Sequence, residues 1–241
     1  MTVVPEGRGG APSWSVAGLV DGAQLAAPAI PVMVIFGAGF GTIAVQKGLT
    51  LFEATLMSAL MFAGASQFVA AEIWSNPKTV AGIATFVIIT ATVNMRFFLM
   101  TASLRPWLGG LPARQTYPAL SLLTEPGWLI ATRYRNGGGA DSAILLGSGI
   151  ALWLTWITGT VLGYLLGMFV ADPGRYGIDL IMPIFFIVML VPFWRGPRNA
   201  VPWVVAAAVA LLAAEFVPGG WYIIAGAIAG SITAGVFDEQ F

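Results

Sequence analysis

The stretch LFEATLMSALMFAGASQFVAAEIWSNPKTVAGIATFVIITATVNMRFFLMTAS, running from Leu51 to Ser103, decides how the rest of the chain is read. Two long apolar segments are joined by the polar turn Ser75-Asn76-Pro77-Lys78. Each segment carries a polar cluster that a plain membrane anchor does not need. The first is Ala63-Gly64-Ala65-Ser66-Gln67-Phe68 and the second is Asn94-Met95-Arg96-Phe97. Small residues let helix backbones approach closely in lipid. An amide or a guanidinium at membrane depth is costly and so marks a functional site by default. The alternative is a hydrogen bond to a neighbouring helix with no further role. Both readings stand for Gln67 and Asn94.

Composition fixes the class. The 241 residues are 58% hydrophobic and 9% charged, with a mean hydropathy of +0.85. Six windows hold no ionisable residue: 22–46, 54–71, 79–95, 142–171, 199–214 and 216–237; a shorter seventh covers 180–194. About 20 such residues cross the hydrocarbon as a helix, and no β-barrel pattern competes. The expectation is an all-α, polytopic helical membrane protein with seven or eight transmembrane helices, in a cell's inner (cytoplasmic) membrane. With no cysteine and no histidine, disulfides, thiolate or imidazole metal sites and Ser-His or Cys-His nucleophile pairs are excluded. No metal, cofactor or enzymatic activity is expected. Eleven basic and eleven acidic residues give no nucleic-acid signature. Residues 1–13 read as a disordered, Gly/Pro-rich tail, without the charge order of a signal peptide; residues 14–241 read as one transmembrane domain.

From Trp14 to Gln46 the first segment is too long for one regular span, with Pro28 and Pro31 inside it and Gly37, Gly39 and Gly41 following. The reading is an opening piece carrying Asp21, a break near Pro28–Pro31, then a Gly-rich span. Broken helices at depth are typical of transporter sites, whereas a proline kink with glycines for tight packing needs no ligand. Thr50 and Glu53 form a capping box, which gives Glu53 a structural role. The second helix is expected to run on to about Trp74. At 1.5 Å per residue, Gln67 then lies about 24 Å from Leu51 and Asn94 about 22 Å from Thr79. In a straight antiparallel hairpin these two approach opposite membrane faces. The midplane falls near Ala63-Gly64 and Thr90, so a Gly-lined passage is expected there, level with Gly37–Gly41. Gln67 and Asn94/Arg96 would sit nearer its mouths.

Residues 104–117 read as a loop with Arg105, Pro106, Pro112 and Arg114. Tyr117–Tyr134, interrupted by Glu125-Pro126, is either a short kinked span or a re-entrant element. Arg133, Arg135 and Gly137–Gly139 read as a flexible connector. The long span 142–171 has Gly159, Gly163 and Gly167 on one face, a close-packing signal. Asp172-Pro173-Gly174 is a turn, and Asp179 is placed to cap a helix ending near Arg195–Arg198. Two spans close the chain, 201–216 and 221–237, with Trp203 and Trp221 near their ends. Gly48-Leu49-Thr50-Leu51 echoes Gly177-Ile178-Asp179-Leu180, which suggests repeat halves of about 14–106 and 142–237. With seven spans, Lys47, Arg105, Arg114, Arg133, Arg135, Arg195 and Arg198 share one side against Arg8, Lys78 and Arg175. The positive-inside rule then places the N-terminus outside and makes the halves inverted.

Taken together, the Gly-rich first span, Ser58 with Ala63–Phe68, and Val93-Asn94-Met95-Arg96 resemble the AzlC family. Weaker similarity continues through Leu123-Thr124-Glu125, Trp156, Gly159-Thr160, Gly163 and Gly167. The resemblance implies the large subunit of a branched-chain amino acid exporter that pairs with a small hydrophobic membrane subunit, AzlD. Two positions depart from the family pattern: Phe97 stands where related sequences often have histidine, and Pro126 replaces a second acidic residue. The planar fork of Arg96 suits a substrate carboxylate; alternatively Arg96 snorkels to headgroups or pairs with an acidic residue of this chain or a partner. Glu125 is a candidate for ammonium binding or proton coupling, and equally for a helix cap. The candidate substrate-binding residues are thus Gly37, Gly39, Gly41, Ser58, Gly64, Ser66, Gln67, Thr90, Asn94, Arg96 and Glu125.

The leading function is secondary export of branched-chain or similar neutral amino acids, driven by an ion or substrate gradient, since the sequence has no Walker motif. Unwound carbonyls near Gly37–Gly41 and Gly64 would receive the ammonium. A channel or permease for another small solute, and a scaffold whose glycine faces only pack against a partner, are the other readings. An intramembrane hydrolase would need paired aspartates or a Ser-Lys site, and the aspartates here look like loop or cap residues.

Overall fold

A computed structural model describes residues 13–72, 80–170, 175, 177, 180–191, 194, 196–217 and 220–238. The tail before Ser13, the turn at Ser75–Lys78, the Asp172-Pro173-Gly174 turn and the Asp179 cap lie outside the described residues. Among the described residues the fold is all-α, with one isolated bridge between Ser13 and Asp141. Three helical stretches there are long and apolar enough to cross a membrane: Val16–Gln46, Ile83–Leu108 and Ala143–Gly167. The chain divides into two compact units, Met1–Gln67 with Met95–Ile178, and Phe68–Asn94 with Asp179–Phe241.

In the first unit, α1 (Val16–Ala26) and α2 (Ile30–Gln46) are joined by one 3-10 turn at Ala27–Ala29. The break expected near Pro28–Pro31 is therefore a tightened turn, with helical dihedrals on both sides. Pro28 opens the 3-10 turn and Pro31 lies in the first turn of α2, positions where a missing N–H is tolerated. Side by side with this pair runs α9 (Ala143–Gly167). Two backbone bonds (Ser13 N–H to Ala140 O and Ser142 N–H to Ser13 O, both 2.9 Å) pin their starts together. Asp141 accepts from the backbone N–H of Ser15 and Ala143 and pairs with the Ser15 hydroxyl, a capping role that the sequence suggested.

Glycines hold the two elements at backbone contact. A Cβ on Gly37 would stand 2.8 Å from the Trp156 carbonyl, one on Gly159 would stand 2.8 Å from that of Val34, and one on Gly163 would overlap the backbone of Ala38. Further contacts pair Gly22 with Ile144, Leu19 with Gly147, and Thr42 with Gly167. From Gly18 beside Asp141, through Gly37 beside Trp156, to Thr42 beside Gly167, residue numbers rise together on both sides, so α1–α2 and α9 run parallel. The helices opening the two proposed repeat halves thus share one sense, and the inverted relation expected between them does not hold. Gly48 and Gly177 both adopt left-handed backbone, with φ of 77° and 68°.

The remaining helices of this unit are α3 (Leu51–Met61), the start of α4 (Gly64–Glu72), α6 (Arg96–Leu108), α7 (Ala113–Ser121) and α8 (Glu125–Asn136). Thr50 and Glu53 make the capping box, with bonds of 3.2 and 2.7 Å. α3 runs against α9: Tyr164 donates to the Leu49 carbonyl (2.9 Å), Ser58 meets Thr160, and Trp153 donates to the Ala59 carbonyl (2.9 Å). The α6 helix continues through Pro106 to Leu108, so the loop expected from residue 104 shrinks to Gly109–Pro112. α8 also runs against α9, from Gly127 beside Ser148 and Leu152 back to Tyr134, whose hydroxyl accepts from Asp141 N–H. α7 rises from Pro112 to Leu122, which lies against Gly149. α7 and α8 together form a hairpin that reaches about 9–14 Å along the roughly 37 Å of α9.

This arrangement corrects the expected sidedness of the loops. Lys47 and Leu49 lie at the far end of α9, while α6 ends beside the start of α9, as do Arg105, Arg114, Arg133 and Arg135. Between Leu49 and Leu108 the chain passes once, net, from the far end of α9 to its start, where two full spans would return it to the same end. The grouping of Lys47 with those arginines therefore fails, and with it the N-terminus-outside reasoning.

In the second unit, α11 (Val201–Phe216) and α12 (Trp221–Asp238) form an antiparallel hairpin, with Gly226 against Ala206 and Ala210, and Gly230 against Pro202 and Ala206. These helices fall on the two closing apolar segments, 201–216 and 221–237. α5 (Val80–Asn94) and α10 (Ile181–Leu190) belong to this unit as well, and Phe68 packs on Phe185 at 4.9 Å between ring centroids.

Overpacking a close helix contact costs roughly 1–3 kcal/mol. Gly163→Val is expected to lower the thermal unfolding midpoint in detergent markedly. Gly235→Val, where a Cβ meets no atom within 4 Å, is expected to leave it nearly unchanged.

Candidate functional site

The helix expected to run unbroken from Leu51 to Trp74 stops at Met61. Phe62 adopts φ 26°, ψ 49°, and α4 restarts at Gly64. Positive φ is costly for a bulky residue, and burial of Phe62 and Ala63 holds it in place. In a straight helix, Ser58 and Gln67 would be about 13 Å apart on opposite faces. At the reversal they meet: the Gln67 amide N–H donates to the Ser58 hydroxyl at 2.9 Å. The placement of Gln67 near a distant membrane face is thus overturned. Its physical cause is the left-handed residue at Phe62.

The Ser58 hydroxyl lies 2.8 Å from that of Thr160, which donates to the Trp156 carbonyl at 3.0 Å. Ser58, Ser66, Gln67 and Thr160 are all fully buried. Gln67 Oε1 is buried and has no hydrogen-bond partner among the described residues. A buried acceptor left open is a departure that calls for a cause. Gly37 and Gly41 lie in regular helix against the α9 backbone, so the unwound carbonyls expected there are absent. Gly39 is buried within α2, and Gly64 opens α4.

Closer to the start of α9 is the second constellation. Arg96, the first residue of α6, and Glu125, the first of α8, form an ion pair of 2.7 Å with side chains 25% and 28% exposed. Thr124, whose hydroxyl accepts from Gly127 N–H (3.3 Å), is the cap of α8. Glu125 therefore does not cap, and the pairing of Arg96 with an acidic residue of this chain is what occurs. Pro126 occupies a first-turn position, where a missing N–H is harmless. Phe97 lies under the Arg96 guanidinium, 5.2 Å from ring centroid to Cζ. From α6 to α8 the contacts continue: Trp128 donates to Ser103 at 2.8 Å, and Trp107 stacks near Tyr134.

Ser148, Leu152, Trp156 and Thr160, all buried, make one stripe of α9 at four-residue spacing; Thr160 belongs to the first cluster, and Gly127, two residues after Glu125, lies beside Ser148 and Leu152. By helical rise, the ion pair lies about a third of the way along α9 and the Ser58–Gln67–Thr160 cluster about 20–25 Å along it. Thr90 and Asn94 belong to the second unit, where Thr90 Oγ1 is buried without a partner among the described residues. Thr160 is the residue that sequence reasoning left out of the site; its place on the Gly159/Gly163 helix was the available signal.

Apolar helices of spanning length, two helices that begin inside the unit, and a buried polar core define a polytopic helical membrane protein. Comparison with known families is consistent with this: the family model described as AzlC protein matches residues 28–170, more than half of the chain, and the chain belongs to the AzlC family. An uncharacterized membrane protein of Archaeoglobus fulgidus is 28% identical over 200 residues, covering 81% of this chain and 84% of that one. An uncharacterized membrane protein of Helicobacter pylori is 26% identical over 166 residues, covering 69% and 71%. No solved structure matches.

Deleting the shared Ser58 hydroxyl strands the buried Gln67 amide N–H, Thr160 keeping its bond to the Trp156 carbonyl, at about 1–3 kcal/mol. Ser58→Ala is expected to lower thermal stability clearly. Gln67→Met, which removes the unmatched acceptor together with one donor to Ser58 and leaves the Ser58–Thr160 bond in place, is expected to change it less. Unfolding midpoints of the two variants in one detergent check the contrast.

Proposed function

We propose that this chain is the large subunit of a secondary transporter that exports branched-chain or similar neutral amino acids across the cytoplasmic membrane. It would act with a small hydrophobic AzlD-like subunit. The observation that carries the reading is the Arg96–Glu125 pair at the inner ends of α6 and α8. A zwitterion has the complementary charges: its carboxylate matches the Arg96 fork, and its ammonium matches Glu125. Without substrate the two side chains neutralise each other, which limits the cost of holding them at depth. Helix N-termini at the same place add partial positive charge for the carboxylate.

The end of the first unit that carries Arg105, Arg114, Arg133 and Arg135 would face the cytoplasm under the positive-inside rule. The glycine faces of α2 and α9 pack on each other, so they do not serve as a scaffold surface for a partner. An ion gradient, most simply of protons, or the substrate's own gradient supplies the energy, and Glu125 is the carboxylate placed to couple it.

The test is efflux of isoleucine from cells loaded with an isoleucine-containing dipeptide and expressing this chain with its small partner. Arg96→Ala and Glu125→Gln, matched for membrane abundance, are each expected to reduce efflux at least tenfold, the scale of one lost charge-assisted contact. No efflux above the empty-vector control from a verified complex would overturn the substrate assignment.

A further inference from the structure

Three exposed arginines stand at one end of the first unit, each on a different helix. Arg105 is in the last turn of α6, Arg114 in the first turn of α7 and Arg133 in the last turn of α8. These helix ends gather beside the start of α9, where Leu104, Trp107, Leu108, Ala131 and Leu145 share one apolar core. None of the three arginines makes an ion pair among the described residues. The carboxylate of Asp141, at the same end, is engaged by the Ser15 hydroxyl and by the backbone N–H of Ser15 and Ala143. Asp21, exposed in the second turn of α1, pairs with none of them either. Inward from Arg105, Ala102, Leu99 and Phe98 make an exposed apolar face on α6. Exposed Leu129 lies one turn inside Arg133 on α8, and exposed Tyr117 lies one turn inside Arg114 on α7.

We infer that this rim selects anionic lipids, whose headgroup phosphates are held by Arg105, Arg114 and Arg133. An exposed apolar face that ends in an arginine is how a helix meets acyl chains while its guanidinium extends to the headgroups. A tyrosine one turn inward sits where interfacial aromatics do. The guanidinium fork matches a phosphate bidentately, and no ion pair within the chain competes for these three. The apolar faces beneath the charges favour a lipid over a soluble anion, which would gain nothing from Phe98, Leu99 or Leu129. With the three arginines spread over three helices, the contact is a belt of lipids rather than one pocket. Lys47, at the far end of α9, differs in having a partner of its own. The belt is separate from the Arg96–Glu125 pair, so it stands or falls independently of the transport reading.

The test uses the full chain, which has no cysteine of its own, in phosphatidylcholine nanodiscs. A fluorophore is placed through Ala102→Cys, one turn inward of Arg105, or through Phe52→Cys on α3 at the far end. Brominated phosphatidylglycerol and brominated phosphatidylcholine are then compared as quenchers at equal mole fraction. The expected result is stronger quenching by phosphatidylglycerol at Ala102→Cys and equal quenching by the two lipids at Phe52→Cys. Arg105→Gln is expected to cut that excess roughly two- to fivefold, and salt at about 1 M to remove most of it by screening. If Arg105→Gln does not accumulate, Leu129→Cys with Arg133→Gln makes the same comparison. Equal quenching by both lipids at Ala102→Cys, an excess unmoved by loss of the arginine, or an equal excess at Phe52→Cys overturns the inference.

Discussion

Backbone contact between α1–α2 and α9 is the constraint from which the rest of the first unit follows. Within lipid, apolar burial gives little drive for helices to associate, so close packing and dispersion must supply it. Glycines at 18, 22, 37 and 41 on one side, and at 147, 159, 163 and 167 on the other, let two helical stretches touch along nearly their whole length. Because they run parallel, with their starts joined through Ser13, Ser15 and Asp141, α9 becomes a ruler for everything else. Each later helix of the unit is placed by where it meets α9, and each placement carries a direction.

That ruler shows why polar side chains occur at depth. α3 ends at Met61, α7 turns into α8 near Leu122–Thr124, and α6 begins at Arg96; all three boundaries fall between the ends of α9. A helix that starts or stops inside the unit leaves backbone groups to satisfy and side chains free of helical register. Thr124 meets part of that need for α8. Ser58, Gln67 and Thr160 meet one another across the reversal at Phe62. Arg96 and Glu125 balance their charges at the ends of their own helices.

Much of this was legible in the residues. Charge-free windows of spanning length led to the all-α membrane class, the Thr50–Glu53 spacing gave a capping box, and the four-residue glycine spacing of α9 gave its packing face. The reversal at Phe62 was not legible, because nothing at that position signals left-handed backbone: the residue is neither Gly nor Asn, and only tertiary burial holds it there. Once that was missed, a nine-residue separation put Ser58 and Gln67 on opposite faces, and Lys47 was grouped with arginines that lie at the other end of α9. Arg96 and Glu125 were each readable as candidates. Their partnership was not, since 29 positions separate them and only the parallel course of α6 and α8 brings them together.

The central claim is that the chain makes one net crossing between Lys47 and Arg114. Since the protein contains no cysteine, Lys47→Cys and Arg114→Cys can each be labelled with a membrane-impermeant maleimide in right-side-out and inside-out vesicles. The account predicts labelling of the two positions from opposite faces of the membrane. Labelling of both from the same face would mean two full spans between them, and would contradict the reversal at Phe62 and the site built around it.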